Sequence, residues 1–365
     1  MKGTVQIAKF AGIPVHLHWS FGFLIFLIGF VSRDLSLDWN KTVIFGLWML
    51  TLFACVVLHE FGHALTAKRF GVTTKDIILL PIGGVARLNS LPDKPMHEFY
   101  IAIAGPMVNV AIAIVLGIGL MLFSPVSIIE AVTDIDIAFS TFYGFLSIIF
   151  IFNAIMVVFN MIPAFPMDGG RVLRSLLSIK VGRPKATRVA AFLGQTIAAV
   201  FFVYGIYKAD FLLSLIGVFV FYTASSENKM VKLDTLLQEH LVSDLLRLQF
   251  VSFKMEDTME QPFNELKRGL EKNFLVLDED RKMQGVLHEL FVIDAMKKKD
   301  LDGPVAEYIS QRYELIAPND NLKSVIERVQ KEGYSILPVV EEDEIIGVID
   351  INMLDNFIRL QQKMI

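Results

Sequence analysis

Long apolar runs alternate with short polar segments over the first two thirds of the chain, and a charge-rich pattern follows. The apolar runs of roughly helical length lie at 17–31, 43–64, 99–123, 141–162, 190–207 and 211–224. Because about 20 apolar residues in a helix cross the hydrocarbon of a bilayer, the pattern predicts an α-helical polytopic membrane domain with about six transmembrane helices. The first and last runs are short, and the count falls to five if the sixth forms only a hairpin with the fifth.

Composition and charge agree with a membrane domain followed by a water-soluble one. Of 365 residues, 54% are hydrophobic and 20% are charged, which is too apolar for a soluble protein of this length. Lysine and arginine concentrate near the N-terminus and in the loops at 65–98 and 163–189. By the positive-inside rule, the N-terminus and the C-terminal part are cytoplasmic in a multi-pass protein of the cell membrane. The net charge of -4 offers no basic surface for nucleic acid.

The charge-rich part contains an internal repeat. The segment FLVLDEDRKMQGVL from Phe274 recurs as ILPVVEEDEIIGVI from Ile336. Each copy has the pattern of a helix, a strand, a charged turn, a strand and a closing helix, so we expect an α+β module. The predicted boundaries are a membrane domain at 1–226, a linker at 227–240 and a module at 241–365, with copies at about 241–299 and 304–361.

A His-Glu-x-x-His motif at residues 59–63 ends the second apolar run. Residues four apart in a helix share one face, so His59 and His63 can direct ring nitrogens at one ion. Zinc is suited to two imidazoles and one further protein ligand, with a fourth position left for water. Glu60 can take a proton from that water, so the motif indicates peptide hydrolysis assisted by one zinc ion. The alternative is an exposed helix end with two ordinary histidines, which a glutamate in a membrane helix disfavours.

The apolar stretch at 76–88 is too short to cross a membrane as a helix, and Pro81 and the Gly83-Gly84 pair interrupt it. We predict two short strands around a Gly-Gly turn, as a membrane-embedded β-hairpin. A free strand edge beside a zinc site could pair with an extended substrate, which makes Gly83 and Gly84 candidate substrate-binding residues. Alternatively, the hairpin lies at the surface and caps the helices.

Two further polar residues accompany the third and fourth apolar runs. Asn109 lies inside the third run, where it either contacts substrate or bonds a neighbouring helix. After the fourth run two prolines stop the helix and a glycine pair lets the chain turn, so that Asp168 stands on an irregular segment. Asp168 is the acid best placed in the sequence to be the third zinc ligand, and capping the following helix is its alternative role.

Together these motifs resemble those of the site-2 protease family of intramembrane zinc metalloproteases. The chain has His-Glu-x-x-His at 59–63 and, in a later run, Asn-x-x-Pro-x-x-Pro-x-Asp-Gly at 160–169. Residues 81–86 look like the family's membrane-embedded hairpin, and residues 105–109 look like its third-helix motif. Met167 stands where many members have leucine, a change that we expect to be neutral.

The resemblance implies a role for each of these residues. His59, His63 and Asp168 would bind zinc. Glu60 would activate water, and Asn160 would hold the substrate or the developing oxyanion. The substrate would be a transmembrane segment of another protein, cut by regulated proteolysis inside the bilayer near its cytoplasmic side.

The C-terminal repeats resemble a tandem pair of cystathionine-β-synthase-type (CBS) repeats, which often bind adenine nucleotides and regulate an attached domain. After the second strand, where the family often has Ser or Thr and then Asp, the first copy has His288 and Phe291. The second copy has Asp350 and Met353 there. An adenine-nucleotide sensor, a module for homo-oligomerisation and a substrate-recruiting module therefore stay open.

Two functions from other classes compete with proteolysis. A CBS-regulated transporter would need acids across several apolar runs, whereas the charge within the runs is nearly confined to the metal motifs. A scaffold that binds clients without cutting them would not need Glu60. The sequence therefore favours a protease whose partners are a transmembrane protein substrate and the lipid bilayer.

Overall fold

The computed structural model describes residues 3–81, 83–88, 92, 94–269 and 271–364. The chain divides into two compact units, Met1–Asn228 and Lys229–Ile365. The elements of the first unit are β1 (Thr4–Phe10), β2 (Ile13–His18), α1 (Phe23–Asp34), α2 (Trp39–Arg69), β3 (Thr74–Leu80), β4 (Gly83–Leu88), α3 (Pro95–Phe123), α4 (Ile128–Thr133), α5 (Ile135–Ser140), α6 (Phe142–Asn160), α7 (Asp168–Val181), α8 (Arg183–Tyr207) and α9 (Phe211–Glu239), the last of which continues past the division.

Five helices among the described residues are long and apolar enough to cross a membrane, namely α2, α3, α6, α8 and α9. The first predicted run differs from the prediction. Its beginning lies in β2, and its helical part, α1, has 12 residues. A helix of that length spans about 18 Å, against roughly 30 Å of hydrocarbon. The five candidate helices therefore include the sixth predicted run, which lies in α9, and leave out the first. The number of crossings stays a prediction.

Four strands form one sheet with the order β1-β2-β3-β4. In the chain, β1 and β2 come before helices α1 and α2, and β3 and β4 come after them. β1 and β2 form a hairpin, and β2 pairs in parallel with β3. β3 and β4 form the expected second hairpin, but Leu80 pairs with Gly83, so the glycine pair begins β4 instead of making the turn. The intervening Ile82 lies outside the described residues.

The sheet packs its apolar face on α2 near the His-Glu-x-x-His motif. Buried Val15, Ile77 and Leu79 from the strands contact buried Phe61 and Ala64 from the helix. The strand residues of this group are two apart in β3, so they lie on one face of the sheet. The motif is therefore held between the sheet on one side and α3 on the other.

Close approach of α2 and α3 depends on Gly62, the residue before His63. A Cβ atom built on Gly62 would lie 2.7 Å from the carbonyl oxygen of Ala104 in α3. Helix α3 also packs against α6 and α7. Side chains from four helices can consequently meet at the end of α2.

The second unit contains two copies of one arrangement. Its elements are β5 (Ser252–Phe253), α10 (Glu260–Arg268), β6 (Asn273–Leu277), β7 (Met283–His288), α11 (Glu289–Lys298), α12 (Leu322–Glu332), β8 (Ile336–Glu341), β9 (Glu344–Asp350) and α13 (Ile351–Met364). The antiparallel pairs β6–β7 and β8–β9 correspond to the two predicted repeats. Most of the predicted linker 227–240 is helical, because α9 continues to Glu239.

The two copies are joined crosswise by main-chain hydrogen bonds. Arg247, which precedes the first copy's strands, exchanges two bonds with Val348 in β9 of the second copy. Ser310, which precedes the second copy's strands, exchanges two bonds with Val286 in β7 of the first. This reciprocal exchange is typical of a pseudo-twofold pair. The strands of both copies also share one hydrophobic core, which contains Leu275.

Candidate metal centre

Three potential ligand atoms converge at the end of α2. His59 Nε2, His63 Nε2 and Asp168 Oδ2 are each 3.1 Å from the other two. The side chains are buried, and within the described part of the chain they form the one His/Cys/Asp/Glu cluster with metal-binding geometry. The predicted triad is therefore assembled in space, although Asp168 is more than a hundred residues away in sequence.

Each histidine is oriented by a hydrogen bond at its other ring nitrogen. His63 Nδ1 donates to the main-chain oxygen of Ile101 at 2.7 Å, and His59 Nδ1 lies 2.5 Å from Asn109 Oδ1. Such outer bonds fix the ring and leave the lone pair of Nε2 directed at the metal position. Asn109, a predicted substrate contact, is fully buried and lies behind His59 instead of on an open surface.

Gly105 lies in α3 directly beside the two imidazoles. A Cβ atom at this position would be 2.2 Å from His63 Nε2 and 2.8 Å from His59 Nε2. Any side chain here would occupy the space between the ligand atoms. The sequence indicated only that Gly105 allows helices to approach, so its contact with the ligands is new information from the structure.

Asp168 is the first residue of α7, but its carboxylate does not cap that helix. The capping position is Met167, which makes no side-chain capping bond. Its Oδ2 instead lies 3.1 Å from Nε2 of both imidazoles. An aspartate carboxylate binds a metal in its ionised form, and this oxygen is placed to do so together with the two ring nitrogens.

Glu60 is half-buried beside the cluster and faces the sheet. Its Oε2 accepts a 2.9 Å hydrogen bond from the main-chain nitrogen of Ala86 in β4. A Cβ atom on Gly84 would lie 2.8 Å from Glu60 Cγ, so the glycine gives the glutamate room. Gly83 adopts φ of +140°, where glycine is favoured. The predicted hairpin therefore contacts the predicted base.

Asn160 is the last residue of α6 and is half-buried. In the described part of the chain its side-chain amide has no hydrogen-bond partner, unlike that of Asn109. Asn153, one of the buried residues of the same helix, was missed in the sequence. The signal that could have found it is a polar amide inside an otherwise apolar run.

The donor set fits zinc. Ligand atoms about 2.0–2.1 Å from a tetrahedral zinc ion lie roughly 3.3 Å from one another. The three observed separations of 3.1 Å are close to that value. Two imidazole nitrogens and one carboxylate oxygen are also typical of catalytic zinc sites, which keep a position for water or substrate.

Comparison with known proteins agrees with these observations. The family model for peptidase family M50 matches residues 47–134 and 120–204, and the model for the CBS domain matches residues 305–358. A zinc metalloprotease of Methanocaldococcus jannaschii is 35% identical over 246 residues, which are 67% of this chain and 67% of the relative.

Solved structures are similar to each part of the chain separately. The site-2 protease from Methanocaldococcus jannaschii has 36% identity and a TM-score of 0.46, covering 62% of this chain and 95% of that one. The CBS domain pair of a protein solved with 5′-methylthioadenosine and S-adenosylmethionine has 15% identity and a TM-score of 0.31, covering 33% and 98%.

The predicted family, protease class and C-terminal module are thus confirmed, and the apolar helices agree with a multi-pass membrane protein. The chain belongs to peptidase family M50, the site-2 protease family of zinc metalloproteases, and carries a CBS domain in its C-terminal part.

Proposed function

We propose that this zinc metalloprotease hydrolyses a peptide bond within or near a transmembrane segment of a membrane-protein substrate, in regulated intramembrane proteolysis. One observation carries the proposal: two histidines and an aspartate converge beside Glu60 at the end of an apolar helix. A metal position and an acid–base group stand together at the end of a helix that is long and apolar enough to cross a membrane.

His59, His63 and Asp168 would hold one zinc ion per chain. When bound, the ion supplies Lewis-acid chemistry that acidifies water and polarises the scissile carbonyl. The outer bonds from Ile101 and Asn109 support this assignment, because they set both imidazoles to present Nε2.

Glu60 would be the general base and then the general acid. Its carboxylate takes a proton from water as the water oxygen attacks the carbonyl carbon of the scissile bond. It then gives that proton to the leaving nitrogen as the carbon–nitrogen bond breaks. The half-buried position of Glu60 beside His59 supports this role.

The substrate would bind in an extended form along β4. This strand is last in the sheet, and no strand among the described residues pairs with its outer edge. Extended peptides bind such edges through main-chain hydrogen bonds. Gly83 and Gly84 would let the substrate approach closely, and the amide of Asn160 would hold its carbonyl. A substrate helix must unwind to bind in this way, so helix-breaking residues near the cut should favour cleavage.

The N-terminus and the CBS module would be cytoplasmic, with the metal centre inside the bilayer near that side. The distribution of lysine and arginine supports this orientation. The module would regulate the protease through an adenine nucleotide or, failing that, recruit substrate or form homo-oligomers. In the second copy the Asp350 carboxylate is already engaged by Asn352 and Asn273, which supports the second group of roles.

The test is cleavage of a tagged single-span substrate by the purified full-length protein in detergent. Glu60→Gln should retain zinc and lose turnover, since it keeps the shape of the side chain but cannot accept a proton. Glu130→Gln, a change at an exposed glutamate in α4, is the matched control and should cut like the parent. Equal cutting by Glu60→Gln and the parent would reject the assignment of the base. A protein that binds zinc but cuts no single-span substrate would favour the scaffold.

A further inference from the structure

A line of buried amides connects α6 to the metal centre. Asn153 Nδ2 donates to the main-chain oxygen of Ile149 at 2.8 Å, and Asn109 Nδ2 donates to Asn153 Oδ1 at 2.7 Å. The line ends at His59, whose Nδ1 is 2.5 Å from Asn109 Oδ1. Asn109 and Asn153 both have no exposed surface, so water does not compete for these bonds.

Which atom donates and which accepts in each of these hydrogen bonds follows from the first acceptor, the main-chain oxygen of Ile149. The carbonyl oxygen of Ile149 can only accept, so the nitrogen of the Asn153 amide must face it and the oxygen must face Asn109. That oxygen in turn requires a donor, so Asn109 presents its nitrogen to Asn153 and its oxygen to His59. An oxygen beside His59 Nδ1 requires that Nδ1 carry the proton.

The other hydrogens of the two amides have partners of their own. Asn153 Nδ2 also lies 3.4 Å from Cys55 Sγ, and Asn109 Nδ2 lies 3.7 Å from Met156 Sδ. Sulfur is a weak acceptor, so these contacts can take the second hydrogen of each amide but do not determine how the amides are oriented. The main-chain oxygen of Ile149 therefore sets their orientation.

We propose that Asn153 is a positioning residue of the metal centre: acting through Asn109, it holds His59 in the tautomer with the proton on Nδ1 and the lone pair of Nε2 directed at the metal. This inference rests on the proposed ligand role of His59. His63 needs no such line, because its Nδ1 bonds a main-chain oxygen directly. The ring orientations of the two histidines are thus fixed differently. A main-chain oxygen of α3 orients His63, whereas Asn109 and Asn153 together orient His59.

Zinc affinity tests the proposal without reference to proteolysis. The full-length protein in detergent is stripped of zinc and reloaded in competition with a chromophoric chelator. Asn153→Leu keeps the approximate volume but removes both the acceptor and the donor, and should weaken zinc binding by roughly 10–100-fold, as the loss of outer-shell partners does. Unchanged affinity in Asn153→Leu would overturn the proposal.

Ser147→Ala is the matched control. Ser147 is in α6 like Asn153 and fully buried, but its hydroxyl has no hydrogen-bond partner among the residues that the structure describes. The alanine variant should therefore bind zinc like the parent. A loss equal to that of Asn153→Leu would mean that any change inside α6 weakens the site, and would remove the special role of Asn153.

Asn153→Asp separates polarity from shape. A buried carboxyl without a cation is neutral, so its O–H can donate to Ile149 and its carbonyl oxygen can accept from Asn109. The bond directions are then those of the parent, and zinc affinity should return to within about threefold of the parent value. An aspartate variant as weak as the leucine variant would contradict the directional argument.

Nitrogen-15 NMR of the zinc-free parent gives a second readout that needs no folded variant at Asn153. At alkaline pH, where imidazoles are neutral, His59 should show a protonated Nδ1, its signals being identified by their loss in His59→Ala. A proton on Nε2 instead would overturn the proposal. Failure of proteolysis in the cleavage assay would leave both readouts unchanged, so the two proposals fail separately.

Discussion

Two polar clusters of the first unit differ in whether the charges of their side chains are balanced. The metal-ligand cluster, His59, His63 and Asp168, brings three acceptor atoms within 3.1 Å of one another. The ion-pair cluster, Glu98, Arg174, Arg183 and Glu227, contains two cations and two anions that satisfy each other.

The ion-pair cluster is complete within the protein. Arg174 Nη1 is 2.7 Å from Glu227 Oε1, and Arg183 Nη2 is 2.9 Å from Glu98 Oε2. Arg174 also pairs with Glu98 and lies over the ring of Phe165, in the segment that leads to Asp168. Acceptors that converge without a cation indicate a ligand, whereas balanced charges indicate a structural support. Burial alone does not distinguish the two cases.

The largest effect is expected from filling the space between the metal ligands. Gly105→Ala places a methyl group 2.2 Å from His63 Nε2, so the protein should lose zinc binding. Zinc content after reloading measures this loss. Gly119→Ala in the same helix is the control, because a Cβ atom there meets nothing within 4 Å. Normal zinc content in Gly105→Ala would remove the metal-ligand cluster from consideration.

The next effect comes from unbalancing the ion-pair cluster. Arg174→Met removes the cation that pairs directly with both Glu98 and Glu227, and breaking a buried pair in this way costs about 3–5 kcal/mol of the free energy of unfolding. Thermal unfolding in detergent measures the change. Arg188→Met, at an exposed position of α8, should change stability by no more than about 0.5 kcal/mol. Equal effects of the two variants would show that the cluster is not a support.

Removing zinc should destabilise the protein through the metal-ligand cluster alone. At a free zinc concentration a thousandfold above Kd, binding stabilises the folded state by about 4 kcal/mol, and a chelator abolishes this contribution. The unfolding midpoint of the parent should fall on chelation, and that of Gly105→Ala should not. A midpoint that falls equally in both would place the responsible metal elsewhere.

The smallest effect concerns the pair formed by buried Asp76 in β3 and partly exposed Arg87 in β4. The Arg87 guanidinium holds the pKa of the Asp76 carboxyl below its ordinary value, with His16 Nδ1 also 3.5 Å away. A lowered pKa contributes stability above the unfolded value of about 3.9, and this contribution disappears as the pH falls through the folded value.

Asp76→Asn should therefore be less stable than the parent at neutral pH, and the difference should shrink as the solution is acidified below about pH 4. Unfolding midpoints across that range measure it, with Asp355→Asn, an exposed position, as the control. A difference that grows on acidification would contradict the sign of the pKa shift.

Most of the correct predictions about helices, strands and repeats came from local patterns in the sequence. The spacing of His59 and His63 is a property of one helix, and the repeats of the second unit follow from similar stretches of sequence. The role of Asp168 was open, because a segment after a helix does not reveal what it faces. The contact of Gly105 with the metal ligands and any role of Asn153 were not predicted, since both arise from contacts between α2, α3 and α6.

The N-terminal strands were missed because a longer apolar signal overlapped them. The run that begins at Leu17 was predicted as a membrane helix, although Leu17 lies in β2 and pairs with Leu79. The exposed Val5 and Ile7 alternate with polar residues in β1, a period-two pattern that could have been recognised. Hydropathy over a long window does not separate a short strand from the helix that follows it.

The parallel pairing of β2 with β3 also has a consequence for biosynthesis. Val15 pairs with Ile77, and the whole of α1 and α2 lies between them in the chain. At roughly 5–20 residues per second, β3 is made about 3–12 s after β2, and until then one edge of the first hairpin is unpaired. Synthesis of α1 and α2 therefore sets the earliest time at which the sheet, and with it the strand beside Glu60, can form.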